Sequence, residues 1–213
     1  MAEQSTPTPA PVSRLALAVV ALAGFTDAVS FLQFKKLYVS FMSGNTTALG
    51  VATAAADWGQ ARLLTLLLAL FVGGVMLGAW LHQASRRPAA TVLAVVAGLL
   101  ALATTGLPAK LPLFVLVVSM GVLNAAVGKA GRSPLTLTYV TGALVKVGTG
   151  LFDHLSGKPW PADWGRQVLD WLGLAVGAVL GAAAWHQFGL RGLLGAAVWA
   201  LLLALLARRV PEA

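Results

Sequence analysis

Phe71-Val72-Gly73-Gly74-Val75-Met76-Leu77-Gly78-Ala79-Trp80-Leu81-His82-Gln83 returns as Leu174-Ala175-Val176-Gly177-Ala178-Val179-Leu180-Gly181-Ala182-Ala183-Ala184-Trp185-His186-Gln187. Each copy is an apolar run that carries glycines at four-residue spacing and ends in Trp, His and Gln. A run of this kind reads as a helix that lies in lipid and packs closely through its small residues. Two further stretches repeat in the same order. Gly24-Phe25-Thr26-Asp27-Ala28 is matched by Gly121-Val122-Leu123-Asn124-Ala125, and Tyr38 to Asn45 is matched loosely by Leu137 to Ala143. The offset is close to half the chain. In a membrane protein, duplication of this kind usually builds two halves around a shared path near the bilayer midplane.

Composition supports the membrane setting. Hydrophobic residues make up 58 % of the 213 residues and charged residues only 10 %, where soluble domains carry about 25 % charged residues. The net charge of +8 does not indicate nucleic acid. Its lysines and arginines stand as short caps between apolar runs, as topology signals and contacts to anionic lipid do. With no cysteine, disulfides and thiolate chemistry are excluded.

Eight apolar segments are expected, at about 15–34, 37–56, 63–81, 90–107, 111–127, 134–155, 168–188 and 193–207. The fold class is therefore an all-α polytopic membrane helix bundle of two duplicated halves. Six spans are strong. The segments 37–56 and 134–155 are richer in Gly, Ser, Thr and Asn. Residues 1–13 read as a disordered polar tail, 14–110 as the first membrane repeat, 111–209 as the second, and 210–213 as a C-terminal tail. If the two polar segments cross fully, Lys and Arg divide evenly, with Lys146 set aside. If they enter and leave on one side, nine lie on the N-terminal side and five on the other. The second arrangement fits the positive-inside rule better and makes the halves inverted.

The candidate ligand- or ion-binding residues are Asp27, Ser43, Asn45, Thr46, Asn124, Thr141 and Lys146. Asp27 is an acid inside an apolar run, costing about 2.5 to 3.5 kcal/mol on insertion scales. It reads either as a proton, cation or ligand site or as a structural acid satisfied by Ser, Thr or backbone groups. Asn124 occupies the matching place without the charge. Ser43-Gly44-Asn45-Thr46-Thr47 suits a broken helix, whose freed backbone groups its side chains re-satisfy; tight helix packing is the plainer reading. Lys146 has three readings: a partner for Asp27, an anion ligand, or a snorkelling side chain. The glycines of segments 63–81 and 168–188 predict close packing against neighbours or against each other. His82 and His186 lack further ligands at helical spacing, so neither a metal site nor any cofactor is expected. No Walker, GxSxG or HExxH motif is present, and enzyme activity is not expected.

Through Gly24-Phe25-Thr26-Asp27-Ala28 and Phe41-Met42-Ser43-Gly44-Asn45-Thr46 the chain resembles the YoaK-like family of bacterial multi-pass membrane proteins. That family carries a Gly-x-x-Asp-Ala motif in its first helix and Phe-Met-Thr-Gly-Asn in its second; here Ser43 replaces the commoner Thr and keeps the hydroxyl. The resemblance implies an inner-membrane location and brings no activity with it. Two functions stay open: a binder or transporter of a small molecule or ion with a cavity between the repeats, or a non-transporting scaffold or subunit of a larger membrane complex. The bilayer is the expected partner, an oligomer is compatible with the sequence, and nucleic acid is not expected.

Overall fold

A computed structural model of the chain describes residues 10–129 and 140–209. Among them are α1 (Ala10–Gln33), α2 (Met42–Ala54), α3 (Trp58–Ala84), α4 (Pro88–Leu102), α5 (Leu111–Lys129), α6 (Val140–Leu155), α7 (Trp164–Phe188) and α8 (Leu193–Ala207), with a 3-10 turn at Gly189–Gly192 joining the last two. The fold is all-α among the described residues, as lipid-exposed backbone requires. The tails at 1–9 and 210–213 lie outside the described residues.

Local sequence sets several boundaries. Asp57 caps α3 by accepting the N–H of Gln60 at 3.0 Å, and Pro88 opens α4, where its missing N–H costs nothing. Arg14–Gln33, Trp58–Ala84 and Trp164–Ala207 are long and apolar enough to cross a bilayer, while Pro88–Leu102 and Leu111–Ala125 are shorter apolar helices. The segment expected at 37–56 is shorter than anticipated, because its first residues form a loop and α2 begins only at Met42. Its 13 residues reach about 20 Å at roughly 1.5 Å each, short of the roughly 30 Å hydrocarbon core, as are the 15 residues of α4 and the 15 of α8.

The buried core joins α1, α4, α5 and α8 through residues such as Leu22, Val29, Leu100, Leu116, Met120 and Leu193. Two glycine seams flank it. On one, α1 lies against α7: Gly24 meets the carbonyl of Leu174, Gly177 that of Ala21, and Gly181 that of Phe25. On the other, α3 lies against α5: Gly121 meets the carbonyl of Phe71, Gly74 that of Val118, and Gly78 that of Val122. The first seam maps onto the second, contact for contact, through the internal sequence match. Residue numbers rise together along both seams, so each pair is parallel. Of the two arrangements expected for segments three and seven, close packing against neighbours holds and packing against each other does not: α3 packs on α5 and α7 on α1. A carbon at these glycines would collide with backbone carbonyls, and backbones this close gain dispersion contacts that lipid cannot supply.

The outer faces of α3 and α7 expose apolar side chains. Met76 and Val179, which match in the repeat, are 68 % and 69 % exposed. In water such faces would be a liability; against lipid tails they are solvated.

Candidate functional site

Helix α1 ends at Gln33, and the chain then turns back along it. Lys35 and Lys36 adopt φ of 55° and 70°, left-handed values that cost a non-glycine residue roughly 1–2 kcal/mol. The returning strand is held by α1 itself. Asp27 Oδ1 accepts the N–H groups of Val39 at 2.9 Å and Ser40 at 2.8 Å, and Asp27 Oδ2 accepts the Ser40 hydroxyl. One turn further on, Ser30 Oγ donates to the carbonyl of Leu37 at 3.2 Å. The carboxylate thus takes three donors from one loop, at a depth where unpaired amides would be costly.

Asn45 secures the other side of the loop. It is 2 % exposed; its Nδ2 donates to the Tyr38 carbonyl at 2.8 Å, and its Oδ1 accepts from the Tyr38 N–H at 3.5 Å. Phe31, Tyr38 and Phe41 pack in succession, the first pair tilted and the second edge to face, with ring centroids 5.1 and 5.3 Å apart. The Phe41 ring covers Gly44, where a side chain would strike it. The Gly-Asn pair of the second motif therefore has separate tasks: Gly44 admits an aromatic ring and Asn45 replaces a missing turn of backbone hydrogen bonds.

The loop fixes the direction of α2. Leu37 packs beside Ala52, Ala61 and Leu64, so the end of α1 and the start of α3 lie together, and α1 and α3 run antiparallel. α2 starts at the depth of Asp27 and returns to the level of the α3 N-terminus.

The sequence-predicted residues do not converge on one chamber. Asp27 and Asn45 meet through the Tyr38–Ser40 loop. Ser43 and Thr46 are exposed on α2, and Thr46 donates to the Met42 carbonyl of its own helix at 2.9 Å. Asn124 is 6 % exposed on α5 and donates to the Met120 carbonyl at 2.9 Å; the loop that would match Tyr38–Ser40 lies outside the described residues. Thr141 and Lys146 are exposed on α6. Lys146 Nζ stands 3.8 Å from Asp163 Oδ2, so its pairing with Asp27 is corrected: the lysine sits at the exposed α6–α7 surface. A groove of about 490 Å³ opens between α2 and α3, lined by residues including Leu49, Thr53, Trp58, Arg62 and Thr65.

A further polar group was not anticipated. On the buried face of α7, Gln167 is 7 % and Asp170 8 % exposed. Its signal lay in another recurrence: Ala56-Asp57-Trp58-Gly59 returns as Ala162-Asp163-Trp164-Gly165, and each copy opens a long helix.

An all-α chain with apolar exterior faces, long apolar helices and a polar loop tied down inside the bundle defines a helical membrane protein. Its sequence matches the family described as Protein of unknown function (DUF1275) over residues 15–206, and the chain belongs to that family. It is 37 % identical over 206 residues to UPF0700 transmembrane protein RA0705 of Rhizobium meliloti (strain 1021), covering 94 % of this chain and 89 % of that protein. No solved structure matches it.

Proposed function

We propose that this chain is a six-crossing transporter or binder of a small solute or ion, built from two inverted repeats in the bacterial inner membrane. Helices α1, α3, α4, α5, α7 and α8 cross; α2 and α6 enter and leave on one side. The tip at Tyr38–Asn45 forms the substrate-facing element, with Asp27 and Asn45 holding its shape and Ser43 and Thr46 offering hydroxyls beside it. In the second half, Asn124 of α5 and Thr141 and Lys146 of α6 are the residues offered to the solute. Both chain ends face the cytoplasm, with nine Lys and Arg on that side against five opposite.

One observation carries this reading: the loop that turns back to Asp27, so that α2 begins inside the bundle. Irregular backbone at membrane depth is tolerated where protein or a water-filled cavity surrounds it, and such elements mark transporter sites. The parallel seams are compatible with it, since α1 and α7 cross in one direction and α3 and α5 in the other.

The cysteine-free sequence makes the test direct. Single cysteines at Lys36 and Ala56 should react with a membrane-impermeant maleimide from the same side in intact cells. Labelling from opposite sides would mean that α2 crosses, and the re-entrant reading would be lost. For transport, a panel of amino acids, sugars, organic acids and alkali cations is screened by thermal shift in detergent. Hits are then followed by flux into proteoliposomes. Flux that falls with Asn45→Ala supports the proposal; a panel with neither shift nor flux refutes it for those solutes.

A further inference from the structure

Counting on from the recurring Asp-Trp-Gly, Ala61 corresponds to Gln167 and Leu64 to Asp170; counting back from the glycine seam, the matching residues are Leu64 and Leu67, which are also apolar and buried. In the first half, Ala61 and Leu64 form an apolar contact with Ala52 of α2. In the second half, those two places hold an amide and a carboxylate, both buried. A carboxylate in place of leucine on a packed helix face is expensive unless its polar atoms are satisfied. Here one is not: Asp170 Oδ2 is shut off from solvent and has no hydrogen-bond partner.

Among the described residues, the charged groups near Asp170 come from α7, α6 and α1. Arg166 Nε, one turn back on α7, stands 3.9 Å from Oδ2, beyond hydrogen-bond range. Gln167 Nε2 donates to Asp163 Oδ2 at 3.2 Å, and Lys146 Nζ of α6 lies 3.8 Å from that same oxygen. Asp163 itself is 57 % exposed. Unlike Asp57, it makes no side-chain cap bond to its own helix, being turned to Gln167 and Lys146. On α1, the register of the seam sets Arg14 level with Asp170, and Arg14 is exposed. The remaining charged side chains of α6, Asp153 and His154, lie nearer its other end, where Asp153 pairs with Lys158 at 2.7 Å. Polar groups therefore descend from the exposed start of α7 to a carboxylate about 9 Å along its axis, at roughly 1.5 Å per residue.

We propose that Asp170 is a proton-binding site of the second half, in exchange with water at the α6–α7 surface. A metal cation is a poor fit. Hard cations take about six oxygen ligands, whereas here two cationic side chains flank the carboxylates. Among the described residues, no three His, Cys, Asp or Glu side chains group together. Binding forms one bond: a hydronium ion gives its proton to Oδ2 and leaves water, and Arg166 keeps its own protons while losing its partner's charge. The buried carboxyl then carries no net charge. The site does not depend on α2 or on solute movement, so failure of the transport reading leaves it standing.

The test uses the full chain in lipid nanodiscs and infrared difference spectra between about pH 5 and pH 8, where exposed carboxylates stay ionised. A carboxylic C=O band that grows on acidification is expected. It should vanish in Asp170→Asn and persist in Asp27→Asn and Asp163→Asn. An unchanged band in Asp170→Asn overturns the proposal, as does the absence of any such band in the unmodified protein. The paired change Gln167→Ala with Asp170→Leu replaces both polar groups by the apolar residues that follow Asp-Trp-Gly at the same spacing in the first half. It should fold, with a thermal midpoint no lower than that of the parent and less dependent on pH over this range than the parent's, the three histidines contributing what remains. A pair variant destabilised equally at every pH would make Asp170 a fixed structural partner of Arg166 and would end the proposal.

Discussion

Gly177 of α7 lies against the carbonyl of Ala21 on α1, with no room for even a methyl group between them. Gly74 of α3 has the same relation to Val118 of α5. Such contacts hold helices together in lipid, where burying apolar surface gives no advantage over leaving it among acyl chains.

Substituting leucine at Gly74 or Gly177 should therefore separate a seam. Overpacking costs about 1–3 kcal/mol per site and more where backbone must move. Gly73 is adjacent in sequence to Gly74, but a side chain there would meet nothing within 4 Å of its first carbon. Gly73→Leu should leave thermal unfolding in detergent unchanged, while Gly74→Leu and Gly177→Leu lower the midpoint. Equal effects at Gly73 and Gly74 would refute the seam.

The Tyr38–Ser40 loop depends on Asp27. Replacing the carboxylate by an amide puts an NH₂ group where an acceptor is needed, at a cost of about 1–3 kcal/mol for the donor left unpaired. Hydrogen exchange at Val39 and Ser40 should speed up in Asp27→Asn, with little change in α4 or α8. Protection retained at both amides would mean that the loop is held by other contacts.

Asn45 and Asp27 grip opposite sides of that loop without touching each other. Their effects on stability should couple. In a double-mutant cycle with Asn45→Ala and Asp27→Asn, the pair should cost less than the two singles added, by about 0.5 kcal/mol or more. Strict additivity would show that the two residues secure independent segments.

Lys36 holds φ of 70° at the reversal after α1. Glycine adopts this conformation without the steric penalty of a side chain. Lys36→Gly should raise the thermal midpoint, by an amount corresponding to about 1 kcal/mol of relieved strain less the entropy that glycine loses on folding. A lowered midpoint would show that the lysine side chain contributes more than its backbone costs.

Lys146 is paired with an exposed carboxylate across 3.8 Å. Pairs of this kind contribute at most about 1 kcal/mol and fade with salt. Lys146→Ala should change stability little, and less still in high salt. A loss of several kcal/mol would restore a buried role for the lysine.

Helix class, the membrane setting and the close-packing glycines were legible because each is a property of local composition. Leu111–Val127 had to be helix in lipid whatever it packed against, and Gly74–Gly78 announced a near neighbour without naming it. The loop at Tyr38–Ser40 was not legible, since its residues are apolar enough to continue a helix. Only the acceptor at Asp27, a turn and a half before the end of α1, makes the reversal favourable. Asp170 was overlooked because it stands at the edge of an apolar run, where a charge is ordinary; its burial arises from packing against other elements.

The sequence by itself determined that this chain is a helical membrane protein, because hydropathy and small-residue spacing act within a single helix. The tertiary structure decided which helices pair, which way α2 runs, and which of the polar residues are buried. Those outcomes depend on contacts between residues far apart in the chain, where a carbonyl opposite a glycine or an amide opposite a carboxylate selects one arrangement among several that hydrophobicity alone permits.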